Sequence, residues 1–278
     1  KKKLYLARDK FGEKPLFYGV WINSFVFGSE LKIFSRFPNF KKKISTDALS
    51  LFLKYSYVPE PYSIYEKVFK VRPGEYLEIN LNEVNINNDL STNNLKKFNW
   101  YKPVYSLQDS QNEKTLIDKL DKILIDSVEE SLISDVEVGS FLSGGLDSSI
   151  ISSITQKLSK KKVKTFSICF DDENYNEQKY SQIVSKNINS DHRELVLNSS
   201  NIFNYVDKLC DVYDEPFADS SQIPTLLISE YASREVKVCL TGDGADELFG
   251  GYNRYLYTNK ILNNSKYLSL IHIWRCRR

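Results

Sequence analysis

The sequence predicts an α/β protein, a doubly wound parallel sheet preceded by a β-rich α+β segment. Three observations predict it. From Glu113 onward, strand-like and helix-like patterns alternate, the grammar of a parallel sheet with crossover helices. A Gly-Gly loop, Ser143–Ser149, joins one apolar run to one amphipathic run. Before the alternation begins, short apolar and aromatic runs are broken by Gly12, Pro15 and Asn23-Ser24, as in a meander.

The elements follow in order. Leu4–Ala7, Leu16–Trp21 and Phe25–Phe27 read as strands, and Glu30–Arg36 as a short helix. A second helix is expected at Asp47–Tyr55, with Ser45 or Thr46 as cap and Leu49, Phe52 and Leu53 as its apolar stripe. Pro73-Gly74 marks a turn into the strand Tyr76–Leu81. Residues 82–111 are rich in Asn and lose periodicity, so a linker and domain boundary belong there. From Glu113, Leu116, Leu120, Ile123, Leu124, Val128 and Leu132 recur at helical steps. Strands are then expected at Val136–Leu142, Val163–Phe170, Arg193–Leu197 and Val236–Leu240. Helices are expected at Ser149–Lys160, Glu177–Lys186, Ile202–Tyr213 and Ile223–Arg234. The domains expected are 1–85, a linker 86–112, and 113–270.

Composition bounds the function. The 278 residues hold 41% hydrophobic and 27% charged positions with a net charge of +2, which excludes disorder and a general nucleic-acid or membrane-surface binder. No apolar run nears the ~20 residues of a bilayer crossing, and no signal peptide opens the chain. Cys169, Cys210, Cys239 and Cys276 lack zinc or disulfide spacing and read as reduced thiols of a cytoplasmic protein. The chain has no Met, and Ile271–Arg278 concentrates His, Trp, Cys and Arg; an internal fragment with a non-native tail at 271–278 is the expectation.

Two loops carry chemistry. In Ser143-Gly144-Gly145-Leu146-Asp147-Ser148-Ser149, glycines permit close backbone approach, while N–H groups, hydroxyls and a helix N-terminus form an anion cradle. Ser148 and Ser149 also suit plain helix capping. No Gly-Lys-Ser/Thr is present, so terminal phosphoryl transfer is not indicated. The second loop, Thr241-Gly242-Asp243-Gly244-Ala245-Asp246-Glu247-Leu248-Phe249-Gly250-Gly251-Tyr252, crowds three carboxylates directly after an apolar strand. Such crowding suits a cation, and oxygen ligands suit Mg²⁺.

The first loop resembles the PP-loop of ATP pyrophosphatases, which cleave ATP between the α and β phosphates. With Asp214-Glu215-Pro216-Phe217-Ala218-Asp219-Ser220-Ser221 and Thr241–Tyr252, the chain resembles glutamine-hydrolysing asparagine synthetases. Ala7–Tyr18 and Phe27–Lys32 are similar to the end of that family's class II glutamine amidotransferase domain, of the α+β N-terminal-nucleophile (Ntn) type. The resemblance implies ATP-dependent amidation of aspartate through β-aspartyl-AMP, with ammonia from glutamine. It implies that Leu142 and Ile168 line an adenine pocket, and that Ser143, Gly144, Gly145, Ser148, Ser149, Thr241 and Gly242 contact ATP. Asp147 and Asp246 would hold Mg²⁺ and pyrophosphate, Asp243 and Tyr252 would be catalytic, and Asp9 would bind the amino group of glutamine.

This chain departs from the family in places. Many relatives have Ser-Gly-Glu where Thr241-Gly242-Asp243 stands, so the carboxylate is one methylene shorter. No cysteine precedes Cys169, so the N-terminal glutaminase nucleophile is absent from these residues, and so is the family's distal lysine. Rival readings are a β-lactam synthetase relative, an RNA-modifying thiolase, or an ATP-binding fragment without turnover. The near-neutral charge argues against the thiolase. The oligomeric state stays open, a homodimer included.

Overall fold

The computed structural model describes residues 2–21, 24–38, 40–80, 95–105, 112–170, 177–197 and 205–265. The chain divides into one unit of Lys1–Asp109 with Phe203–Ile223, and a second of Ser110–Ile202 with Pro224–Arg278.

In the first unit, β1 (Lys3–Ala7), β5 (Glu75–Asn80) and β6 (Leu95–Asn99) form one antiparallel sheet. A second antiparallel sheet has the order β3 (Ser24–Gly28), β2 (Phe17–Trp21), β4 (Val68–Lys70). The meander is therefore confined to β2 and β3, because β1 takes its partner from β5 rather than from β2. The uninterrupted apolar run of β2 has a cause. Phe17 packs into a core with Val26, Phe34, Ala48 and Val68, while Tyr18 on the other face joins Leu6, Val71, Leu77 and Ile79. A strand buried on both faces shows no alternation.

Helix α1 (Lys32–Ser35) is shorter than expected, whereas α2 (Thr46–Tyr55) starts as the sequence indicates, with Ser45 Oγ accepting from Ala48 N. The stripe of α2 lies elsewhere. Ala48 is fully buried and Phe52 packs on the core, but Leu53 is 76% exposed. Strand β6 falls inside the Asn-rich span, where Lys and Asn on an edge strand hide the β pattern. The rest of that span (82–94 and 106–111) and the tail 271–278 lie outside the described residues.

The second unit has a four-stranded parallel sheet of order β10 (Val238–Leu240), β7 (Val138–Phe141), β8 (Lys164–Phe170), β9 (Asp191–Leu197). The doubly wound parallel architecture is thus present. Ahead of the sheet runs α3 (Glu113–Ser131), of which Val128 is buried while Leu116, Leu120 and Ile123 are exposed. Helices α4 (Leu146–Leu158) and α5 (Gln178–Ile188) cover one face of the sheet. On the other face, Phe166 packs against Ile228, Tyr231 and Ala232 of α7 (Gln222–Ala232). Buried hydroxyls bring α4 close, since Ser140 Oγ and Ser152 Oγ meet at 2.9 Å. Strand order runs outward from β7 in both directions, toward β9 and toward β10. The gap between β7 and β10 is therefore the topological switch point, where open α/β sheets place their ligands.

Candidate active site

Both chemically loaded loops leave the sheet at that switch point. The first follows β7. Gly144 adopts φ +90°, and a Cβ there would lie 2.6 Å from Ser181 N and from Tyr180 Cβ, so only glycine fits. Hydroxyls cinch the turn. Ser143 Oγ meets Ser148 Oγ at 3.0 Å, Ser143 N donates to Ser148 Oγ at 3.2 Å, and Gly145 N donates to Ser143 Oγ at 3.2 Å.

Ser148 and Ser149 do not cap α4; Gly145 occupies the N-cap, with no side-chain cap bond. Instead Ser149 Oγ donates back to Gly145 O at 2.6 Å. The first intrahelical bond is Ser149 N to Gly145 O, which leaves the N–H groups of Leu146, Asp147 and Ser148 without an intrahelical acceptor. Three aligned donors at the positive end of a helix dipole favour an anion.

The second loop follows β10 and touches the first. A Cβ on Gly242 would lie 2.8 Å from Ser148 N and 2.9 Å from Asp147 C. Asp243 N donates to Thr241 Oγ1 at 3.3 Å, which turns the chain and leaves the exposed Asp243 carboxylate with no partner among the described residues. Gly244 (φ +92°) starts α8 (Ala245–Phe249), and Gly250 (φ +70°) ends it. A Cβ on Gly251 would overlap the Asp246 carboxylate, which occupies that space.

Tyr252 donates to Glu247 Oε1 at 2.7 Å, and the guanidinium of Arg254, at the start of α9 (Asn253–Ser265), stacks 4.3 Å above its ring. The bond to Glu247 pushes the Tyr252 pKa up to about 12, so at neutral pH the phenol is a donor and not a base.

Leu142 is fully buried and its N–H donates to Phe166 O at 2.8 Å. Ile168 lies on β8 and is half-buried. No group of three or more His, Cys, Asp or Glu among the described residues is arranged to hold a metal. Asp147 and Asp246 alone would leave most of a Mg²⁺ shell to phosphate oxygens and water, which suits Mg²⁺ arriving with its nucleotide.

Asp9 lies in the first unit. Its Oδ1 accepts from Lys14 N at 3.0 Å, and its Oδ2 from Glu13 N at 2.8 Å and Phe11 N at 3.2 Å. Partial burial works against the charge, yet these backbone donors hold its pKa below 3.8. Arg8 takes the carbonyls of the same loop, donating to Gly12 O at 2.7 Å and Lys14 O at 2.9 Å. Adjacent opposite charges thus fold the Arg8–Pro15 turn.

The Asp214–Ser221 motif also falls in the first unit. It follows α6 (Val206–Val212) and is gripped there by two carboxylates. Asp214 accepts from Leu31 N at 2.6 Å and pairs with Lys32 at 3.0 Å. Glu215 accepts from Ile64 N at 2.7 Å and pairs with Lys70. The motif's role as an anchor could not be read from residue types, because it depends on which backbone N–H groups lie opposite. The backbone of Tyr180-Ser181 was equally hidden, since main-chain packing leaves no mark on side-chain identity.

The asparagine synthase family profile matches residues 119–274, more than half of the chain. The chain belongs to the asparagine synthase family. A glutamine amidotransferase domain profile matches residues 1–89 of this family member. A Methanocaldococcus jannaschii protein provisionally named asparagine synthetase (glutamine-hydrolyzing) 2 is 37% identical, over 92% of this chain and 48% of its own length. Bacillus subtilis asparagine synthetase (glutamine-hydrolyzing) 1 is 34% identical, over 91% of this chain and 38% of its own length. The chain therefore spans about half or less of these relatives. Among solved structures, the NH3-dependent NAD synthetase of Campylobacter jejuni overlaps 49% of this chain and 60% of its own, with 17% identity and a TM-score of 0.37.

Proposed function

We propose that this asparagine synthase family member carries the ATP-cleaving site of a ligase that converts aspartate to asparagine. The observation that carries the reading is the contact of Gly242 with Asp147 and Ser148, which joins the two loops at the switch point. ATP lies across this junction, its adenine toward Leu142 and Ile168 and its phosphates on the amides of Leu146, Asp147 and Ser148. Ser143, Gly144, Gly145, Ser149 and Thr241 complete the cradle. Asp147 and Asp246 hold Mg²⁺ with the pyrophosphate, and when bound the ion offsets the charge that develops on the leaving group.

Aspartate's carboxylate is a poor electrophile, and transfer to the α-phosphate makes β-aspartyl-AMP, whose AMP is a good leaving group. Asp243 and Tyr252 act in that step, Tyr252 with its hydroxyl tied to Glu247. Ammonia then displaces AMP. In the longer protein the ammonia comes from glutamine held by Asp9, and the setting is cytoplasmic. Aspartate and ammonia added with Mg·ATP should yield AMP, pyrophosphate and asparagine from the full-length protein. Release of ADP and phosphate, or turnover with larger β-amino acids in place of aspartate, would contradict the proposal.

A further inference from the structure

Helix α5 forms the wall behind the phosphate loop, because Gly144 lies directly against the backbone of Tyr180-Ser181. Yet α5 starts without local reinforcement: Glu177 at its N-cap makes no side-chain cap bond. A carboxylate from the sheet grips that end. Gln178 Nε2 and Gln182 Nε2 sit one turn apart, on either side of Tyr180-Ser181. Both donate to Glu194 Oε2, at 2.7 and 3.1 Å.

Glu194 is itself seated on the sheet. It lies on β9 in register with Ser167 of β8, and His192 lies in register with Thr165. The His192 ring reaches Thr165 Oγ1 from Nδ1 at 2.8 Å and Ser167 Oγ from Nε2 at 3.3 Å. Nε2 also faces Glu194 Oε1 at 3.4 Å, a buried oxygen that accepts no hydrogen bond among the described residues. Ser181 and Ser185 are buried against the sheet, and their small side chains let α5 approach closely.

We propose that Glu194 is a positioning residue for the phosphate loop: through Gln178 and Gln182 it fixes the first turns of α5, whose backbone holds Gly144 in place. This rests on reading the loop as an ATP site. The carboxylate never meets the nucleotide; it sets the wall against which the cradle is formed. Both functional and merely structural roles would lower the melting temperature, so the test reads the loop itself.

Hydrogen exchange of the amides in 142–149 and calorimetric titration with Mg·ATP are measured on the whole chain and its variants. Glu194→Leu removes the acceptor at similar volume. Glu194→Gln keeps one oxygen for both glutamines and turns an amide toward Ser167 and His192. E194L should speed loop exchange by about tenfold and weaken Mg·ATP by a similar factor, as expected for loss of two such bonds. E194Q should keep both near wild type. Gln178→Ala with Gln182→Ala approaches the clamp from its other side and should reproduce E194L, which keeps the test decisive if E194L does not fold. Wild-type exchange and affinity in the double variant would overturn the proposal, as would an E194Q as impaired as E194L. Clamp-dependent loop protection in a chain that binds no Mg·ATP would uphold the clamp and sink the ATP reading instead.

Discussion

Gly144 combines two constraints at one residue, a positive φ and a neighbouring backbone 2.6 Å from where a Cβ would sit. Overpacking of this kind costs about 1–3 kcal/mol, with about 1–2 kcal/mol more for the left-handed conformation. Gly144→Val should therefore displace the cradle and abolish Mg·ATP binding. Asp243 has the opposite character, an exposed carboxylate with no partner among the described residues. Its contact is expected in the transition state of adenylation rather than in the ground state. In the full-length protein, Asp243→Ala should lower aspartate-dependent exchange of pyrophosphate into ATP by about 10²–10³ while leaving ATP affinity nearly unchanged. Asp243→Glu should keep substantial activity, and unaltered exchange in the Ala variant would remove Asp243 from the chemistry.

Asp9 makes a prediction about acid. Its pKa in the fold lies below 3.8, so the folded state binds fewer protons than the unfolded chain as pH falls through that region. Its stabilisation is present above about pH 4 and is lost as pH drops through the lowered value. Denaturant titrations between pH 5 and pH 2 should show a shallower acid-side loss for Asp9→Asn than for the wild type. Equal slopes would mean that the backbone donors do not favour the charge.

At the scale of elements, the parallel sheet was legible because alternating apolar and amphipathic runs survive in the letters. The strand positions β7 to β10 came through within a few residues. The Gly-rich loops were legible for the same reason, since positive φ and close approach select glycine by name. What did not come through depends on partners distant in sequence. Strand β6 is polar because it is an edge, and only its pairing with β5 makes it a strand. Leu49 and Leu53 matched a helical stripe, but the core contacts α2 one residue earlier, through Ala48 and Phe52.

Segment 205–222 is the clearest case, since Asp214 and Glu215 serve Leu31, Lys32, Ile64 and Lys70. Burial raises the Glu215 pKa against the opposing pull of Lys70, as for an ion pair closed off from water. Removing one member of a buried pair costs about 3–5 kcal/mol. Lys70→Ala should therefore destabilise the first unit far more than Lys43→Ala, because Lys43 is itself exposed in its pair with Glu66. Comparable melting temperatures for the two variants would show that the pair is not effectively buried.

Across the whole molecule, the amidotransferase match falls in the unit built on antiparallel sheets, and most of the asparagine synthase match in the unit built on a parallel sheet. The division is not a single cut, because Phe203–Ile223 belongs with the first unit although it lies between two stretches of the second. A polypeptide of residues 1–109 alone should be destabilised, and a peptide of residues 203–223 should raise its melting temperature. In the other unit, the proposed function requires that the loops after β7 and β10 form one nucleotide site. Calorimetric titration of Mg·ATP into the chain and its Gly242→Val variant is the sharpest test, because Gly242 lies on the second loop and a Cβ there would run into Asp147 and Ser148 of the first. The wild type should bind saturably and G242V not at all, with circular dichroism unchanged. Wild-type affinity in a folded G242V would contradict it.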